Sequence, residues 1–179
     1  MRGPRLTTLV TMIVAAAATR LIPHPPNMTS VTALALFGGA CFSNRSLAFV
    51  VPLAALLVSD LILGFYQHME ITYLSFVLIV CIGFQLQQRR TAPRIAGAAL
   101  LSAVVFFVVT NFGVWAFDSL YPKTLSGLVA CYVAALPFFR NTLLGDLLYT
   151  AILFGGFRLL ESRFVALRQP QGAIGSPSG

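Results

Sequence analysis

Residues 125–160 read LSGLVACYVAALPFFRNTLLGDLLYTAILFGGFRLL. How this stretch meets a membrane decides the fold. It is apolar on both sides of Pro137-Phe138-Phe139-Arg140. A hydrocarbon core ~30 Å thick needs about 20 helical residues to cross it. Residues 141–160 satisfy that length. Residues 125–139 fall short and meet a proline near their end.

Five further apolar runs precede this stretch: 6–22, 31–42, 46–65, 71–88 and 95–117. Run 31–42 crosses only if 27–30 and 43–44 join it. Lys and Arg concentrate in cytoplasmic loops, so the charges fix the number of crossings. With Arg2 and Arg5 inside, residues 20–30 lie outside, Arg45 inside, 66–70 outside, and Arg89, Arg90 and Arg94 inside. Asp118 and Lys123 then lie outside. The tail residues Arg158, Arg163 and Arg168 belong inside, which requires an even number of crossings. The expectation is therefore an all-α polytopic membrane bundle of six transmembrane helices. Residues 125–139 form a short re-entrant or interfacial segment before the last helix, on the outer side. Only Arg20, Lys123 and Arg140 among the 12 basic residues stay outside. A seventh crossing would export Arg158, Arg163 and Arg168.

Composition agrees. Of 179 residues 58% are hydrophobic and 9% charged, where soluble domains carry about 25% charged residues. Mean hydropathy is +0.85. This excludes a soluble enzyme and a disordered chain. The net charge of +7 does not mark a nucleic-acid surface, because the basic residues sit between apolar runs and do not share a face with aromatics. Cys41, Cys81 and Cys131 are isolated within apolar runs, with no paired framework. Residues 1–168 read as one transmembrane domain. Residues 169–179, rich in Pro, Gly and Ser, read as a disordered cytoplasmic tail. Both termini are expected in the cytoplasm, in a bacterial inner membrane.

The first run also resembles a secretory signal, with Arg2 and Arg5 before an apolar core and Ala16-Ala17-Ala18 as a small-residue cleavage site. Kept, it has another use. Thr7, Thr11, Ala15 and Thr19 recur every four residues, and small stripes let membrane helices approach closely. Internal packing and docking of another subunit are both open.

Polar groups inside membrane helices are expensive and are functional candidates by default. Asp60, Asn111, Arg140, Asn141 and Asp146 all fall in the outer half of the membrane, near Asn27, Trp115 and Tyr121. The inner half carries almost nothing polar. The pattern predicts a pocket open outward and closed below. Tyr149 shares a helix face with Asp146. Asp60 and Asp146 have a second reading, a structural ion pair with Arg140 or Arg20. Asn111 can instead bond a neighbouring helix, and Trp115 can belong to an interfacial aromatic belt. There is no catalytic motif and no metal-spaced cluster, so no cofactor and no metal are expected. No nucleotide-binding motif exists either, and Lys123 is the only lysine. Uphill transport needs a partner or an ion gradient.

Several stretches resemble an uncharacterised family of bacterial membrane proteins described as proposed transport proteins. They are Arg20-Leu-Ile-Pro-His-Pro-Pro-Asn27, Ala33-Leu-Ala-Leu-Phe-Gly-Gly39, Ser59-Asp60-Leu61, Thr110-Asn111-Phe112-Gly113-Val114-Trp115, Tyr121-Pro122, Phe138-Phe139-Arg140-Asn141-Thr142 and Leu144-Gly145-Asp146. That family is similar, more weakly, to the substrate-binding S components of energy-coupling factor (ECF) transporters. The resemblance implies six helices, an outer solute pocket and docking on a transmembrane subunit with two ATPases. In such proteins small residues of the first helix meet that subunit, here Thr7, Thr11, Ala15 and Thr19. The metal-binding amino-terminal signature of nickel or cobalt S components is missing.

The expected function is capture of a small polar solute, of vitamin or precursor type, for uptake. Asp60, Asn111, Trp115, Arg140, Asn141, Asp146, Tyr149 and Asn27 are the expected contacts. Arg140 would pair an anionic group, the carboxylates would accept from amines or hydroxyls, and residues 20–30 would form a lid. The alternatives are a membrane enzyme using Asp60 or Asp146 as acid or base, and an assembly or structural subunit.

Overall fold

The computed structural model describes residues 3–25 and 27–168, which hold six α-helices and no strand. They are α1 (Gly3–Ala18), α2 (Val31–Cys41), α3 (Arg45–Leu63), α4 (Met69–Phe84), α5 (Ala92–Phe117) and α6 (Leu125–Arg163). Single 3-10 turns follow α1 (Thr19–Leu21) and α6 (Val165–Leu167). Local chemistry sets several boundaries. The Asn44 side chain accepts from the Leu47 N–H and opens α3, and Thr124 does the same for Gly127 at α6. Pro93 sits in the first turn of α5, where its missing N–H costs nothing. Gly64, at φ 96°, ends α3.

The short α2 is the centre of the bundle. Each of its residues is buried, and α1, α3, α4, α5 and α6 all pack on it. A helix apolar all round has no face for water, and Val-Thr-Ala-Leu-Ala-Leu-Phe-Gly-Gly-Ala-Cys offers none. Its tightest neighbour is α4. A Cβ on Gly39 would run into the Val80 carbonyl, and one on Gly83 into the Leu36 carbonyl. On the α6 side Phe37 meets Phe154 and Phe157 edge-on, at 5.2 and 5.7 Å.

Successive helices run antiparallel. Ser30 reaches back to the Ala16 carbonyl, Tyr73 to Asp60, His68 to Asp118 and Cys131 to the Asn111 carbonyl. The start of α1 and the end of α6 therefore share one end of the bundle with Arg45, Arg90 and Arg94. The 19–30 connector lies at the other. Large apolar side chains cover the outside of α3, α5 and α6, among them Val58, Ile62, Leu101, Val104, Val133 and Ile152. A contiguous apolar exterior of this kind suits lipid. These three helices are long and apolar enough to cross a membrane.

Two expectations change. First, residues 125–139 are not a separate re-entrant or interfacial segment. They are the first part of α6, one helix of 39 residues that runs through Pro137, about 58 Å long. Proline removes one N–H from the ladder, and inside an apolar helix flanked by Ala134, Ala135 and Leu136 the remaining bonds and neighbours carry the helix through. Second, the residues flanking run 31–42 do not join it. α2 has 11 residues, about 16 Å, and lies enclosed by its neighbours. The expected tail at 169–179 and the basic residue Arg2 lie outside the described residues.

Candidate functional site

The polar side chains near the 19–30 connector form two groups with different chemistry. In the first, the 3-10 turn after α1 turns Arg20 onto the last turn of α3. Its Nη2 donates to Asp60 Oδ1 at 2.8 Å, and its Nη1 reaches Ser59 Oγ. Tyr73 Oη, from α4, donates to Asp60 Oδ2 at 3.0 Å. Asp60 is 1% exposed, yet both of its oxygens are used. In the connector after α3, partial burial holds the Tyr66 phenol above its ordinary range, with a hydrogen bond from Thr72 opposing and the Asp60 charge adding to it. Asp60 is thus the acceptor of a joint between α1, α3 and α4. Of its two readings, the pairing with Arg20 is the one realised.

The second group centres on Asp146, also 1% exposed. Neither of its oxygens has a hydrogen-bond partner among the described residues. The Thr32 hydroxyl, in the first turn of α2, faces it as a long, weak donor. Ser30, at the cap position of that helix, gives its hydroxyl to Ala16 and leaves the first N–H groups of α2 without a side-chain cap. Asp146 therefore faces the positive end of the central helix. One turn along α6, the Thr150 hydroxyl is buried and likewise unpartnered. The connector closes over this place. A Cβ on Gly145 would stand 3.1–3.2 Å from the Met28 and Thr29 backbone, so the chain after Asn27 lies directly on α6.

The chain has five acidic residues. Four touch a basic side chain: Asp60 meets Arg20, Glu70 and Asp118 meet His68, and Glu161 meets Arg5. Among the described residues Asp146 alone meets none. A buried carboxyl group with no strong donor beside it is costly to the fold.

The remaining predicted residues are dispersed. Asn27 is in the connector at φ 61°, exposed, next to the segment on Gly145. Asn141 is half-buried one turn before Gly145 and is already engaged in an interaction. Tyr149 is half-buried against the core. Arg140 is exposed and forms no salt bridge among the described residues. Asn111 donates to the Phe107 carbonyl of its own helix. Trp115 Nε1 donates to the Pro122 carbonyl at 3.0 Å, with Lys123 over its ring, which fastens the α5–α6 connector. On α1, Thr7, Thr11 and Ala15 are exposed and Thr19 half-buried, while Leu9 and Ile13 point into the core. The small stripe faces out of the bundle.

The basic end was expected to be nearly free of buried polar groups, and it is not. Arg5 is 3% exposed, pairs with Glu161, donates to the Leu167 carbonyl and lies over the Phe157 ring at 4.9 Å. Glu161 also lies 3.9 Å from Arg90. The signal was a single glutamate among Arg158, Arg163 and Arg168. Tyr73, Thr32 and Thr150 were also missed, since hydroxyls in apolar runs carry no charge pattern. A cavity of about 620 Å³ opens at this basic end, and none of the predicted contact residues lines it.

Among the described residues no three His, Cys, Asp or Glu side chains cluster as metal ligands. Compared with known families, residues 2–170 match the model of a family of unknown function, DUF6580. No curated protein and no solved structure matches the chain.

Proposed function

The chain belongs to that family of unknown function, and from this premise we propose that it is a membrane-embedded solute-binding protein that serves uptake. Its helices traverse the bacterial inner membrane with both termini in the cytoplasm, and the short α2, enclosed by the others, leads from the outer connector towards the inner end. The observation that carries the solute site is Asp146. It is the one acidic side chain without a basic neighbour among the described residues, fully buried and facing the uncapped start of α2. Its complement is a small solute with an amine, amide or hydroxyl group.

The 20–30 connector is the lid. Arg20–Asp60 anchors its beginning and the contact of Met28 and Thr29 with Gly145 seats its end. Asn27 and Asn141 flank the solute. This arrangement would correspond to the outer-face capture of S components. The outward stripe Thr7–Thr11–Ala15 is the surface for an ECF-type transmembrane subunit with ATPases.

The test is a thermal-shift screen of the full chain in detergent against vitamins, their precursors and small polyamines. At least one compound raises the melting temperature of the wild type and leaves Asp146→Asn unmoved. A panel without any shift, or equal shifts in both proteins, contradicts the reading.

A further inference from the structure

At the basic end, the groove between α5 and α6 has chemistry of its own. The cavity of about 620 Å³ there is walled by Ala96, Leu147, Ala151 and Gly155, whose exposed surfaces open it sideways. Arg90 and Arg158 stand at its basic end together with Glu161, which is paired to Arg5 and lies 3.9 Å from Arg90. Arg158 is exposed and forms no ion pair among the described residues. At the base lies Thr150, whose buried hydroxyl has no partner, about 12 Å along α6 from Arg158. Two guanidinium groups at one end of an apolar trough, with an orphaned donor inside it, complement an anionic head, ester oxygens and a hydrocarbon tail, in that order.

We propose that this groove binds one anionic phospholipid. Its phosphate lies between Arg90 and Arg158, where guanidinium forks match phosphate oxygens. One acyl chain runs along Leu147 and Ala151. The basic end faces the cytoplasmic leaflet, whose anionic lipids are drawn to clustered Lys and Arg. The proposal rests on the membrane placement above and shares only Thr150 with the Asp146 group.

The experiment is native mass spectrometry of the full chain in mild detergent, mixed with equal amounts of phosphatidylglycerol and phosphatidylcholine. One phosphatidylglycerol is retained in preference. Arg158→Gln lowers its retention about fivefold, the worth of one arginine near an anionic surface. Gly155→Leu, whose side chain enters open space, abolishes it with the helical circular dichroism unchanged. Asp146→Asn retains the lipid. Equal retention of the two lipids, full displacement by millimolar inorganic phosphate, or retention untouched by Gly155→Leu overturns the proposal. A chain that stays soluble without detergent contradicts the membrane placement instead.

Discussion

Arg20 donates to Asp60 at 2.8 Å, and so bolts the turn after α1 to the last turn of α3. With Tyr73 on the second carboxylate oxygen, three helices meet on one acid. The pair is buried, so removing either partner strands a charge.

Asp60→Ala and Arg20→Ala should each destabilise the folded chain by about 3–5 kcal/mol. The double variant Arg20→Met with Asp60→Leu should recover most of that loss. Urea unfolding in detergent, followed by tryptophan fluorescence, measures it. Full additivity of the single effects would show that the two side chains do not act together.

The α2–α4 contact predicts a contrast between glycines. Gly39→Val and Gly83→Val place side chains against the Val80 and Leu36 carbonyls and should cost about 2 kcal/mol or more. Gly97→Ala has nothing within 4 Å and should be neutral or stabilise by up to about 1 kcal/mol. Thermal melts of the three variants decide this. A stable Gly83→Val protein would mean that α2 and α4 do not approach so closely.

Topology follows from the alternating helices. In a chain freed of Cys41, Cys81 and Cys131, a single cysteine at Ser119 should react with an impermeant thiol reagent in intact spheroplasts. Single cysteines at Ser43 and Ser176 should react only after lysis. Labelling at Ser176 in unbroken cells would contradict the six-crossing arrangement.

Much of this was legible from charge and run length. The basic residues at 45, 89–94 and 158–168 do gather at one end, because the connectors alternate sides whatever the details of packing. The break at Pro137 was misread because a proline and an arginine mark a loop in soluble chains, whereas α6 carries both within one helix. The central role of α2 was hidden for a related reason. A run too short to span reads as defective until its neighbours enclose it, and Gly38-Gly39 was the only local hint of close packing. Among the site residues, depth along the helices placed Asp60 and Asp146 correctly near the connector. Depth does not reveal which acid finds a base. Arg20 faces Asp60 through the geometry of one 3-10 turn, and no spacing rule in the sequence specifies that turn.

The central claim is that Asp146 is kept for a ligand and not for the fold. The most direct measurement is the ligand-free stability of Asp146→Asn against the wild type, by thermal melts at pH 7 in the same detergent. Replacing a buried carboxyl that has no strong partner should leave the apo protein as stable or more stable, by up to about 2 kcal/mol. A loss of about 3 kcal/mol or more, matching that of the Asp60 variants, would show Asp146 to be a structural partner and would contradict the account.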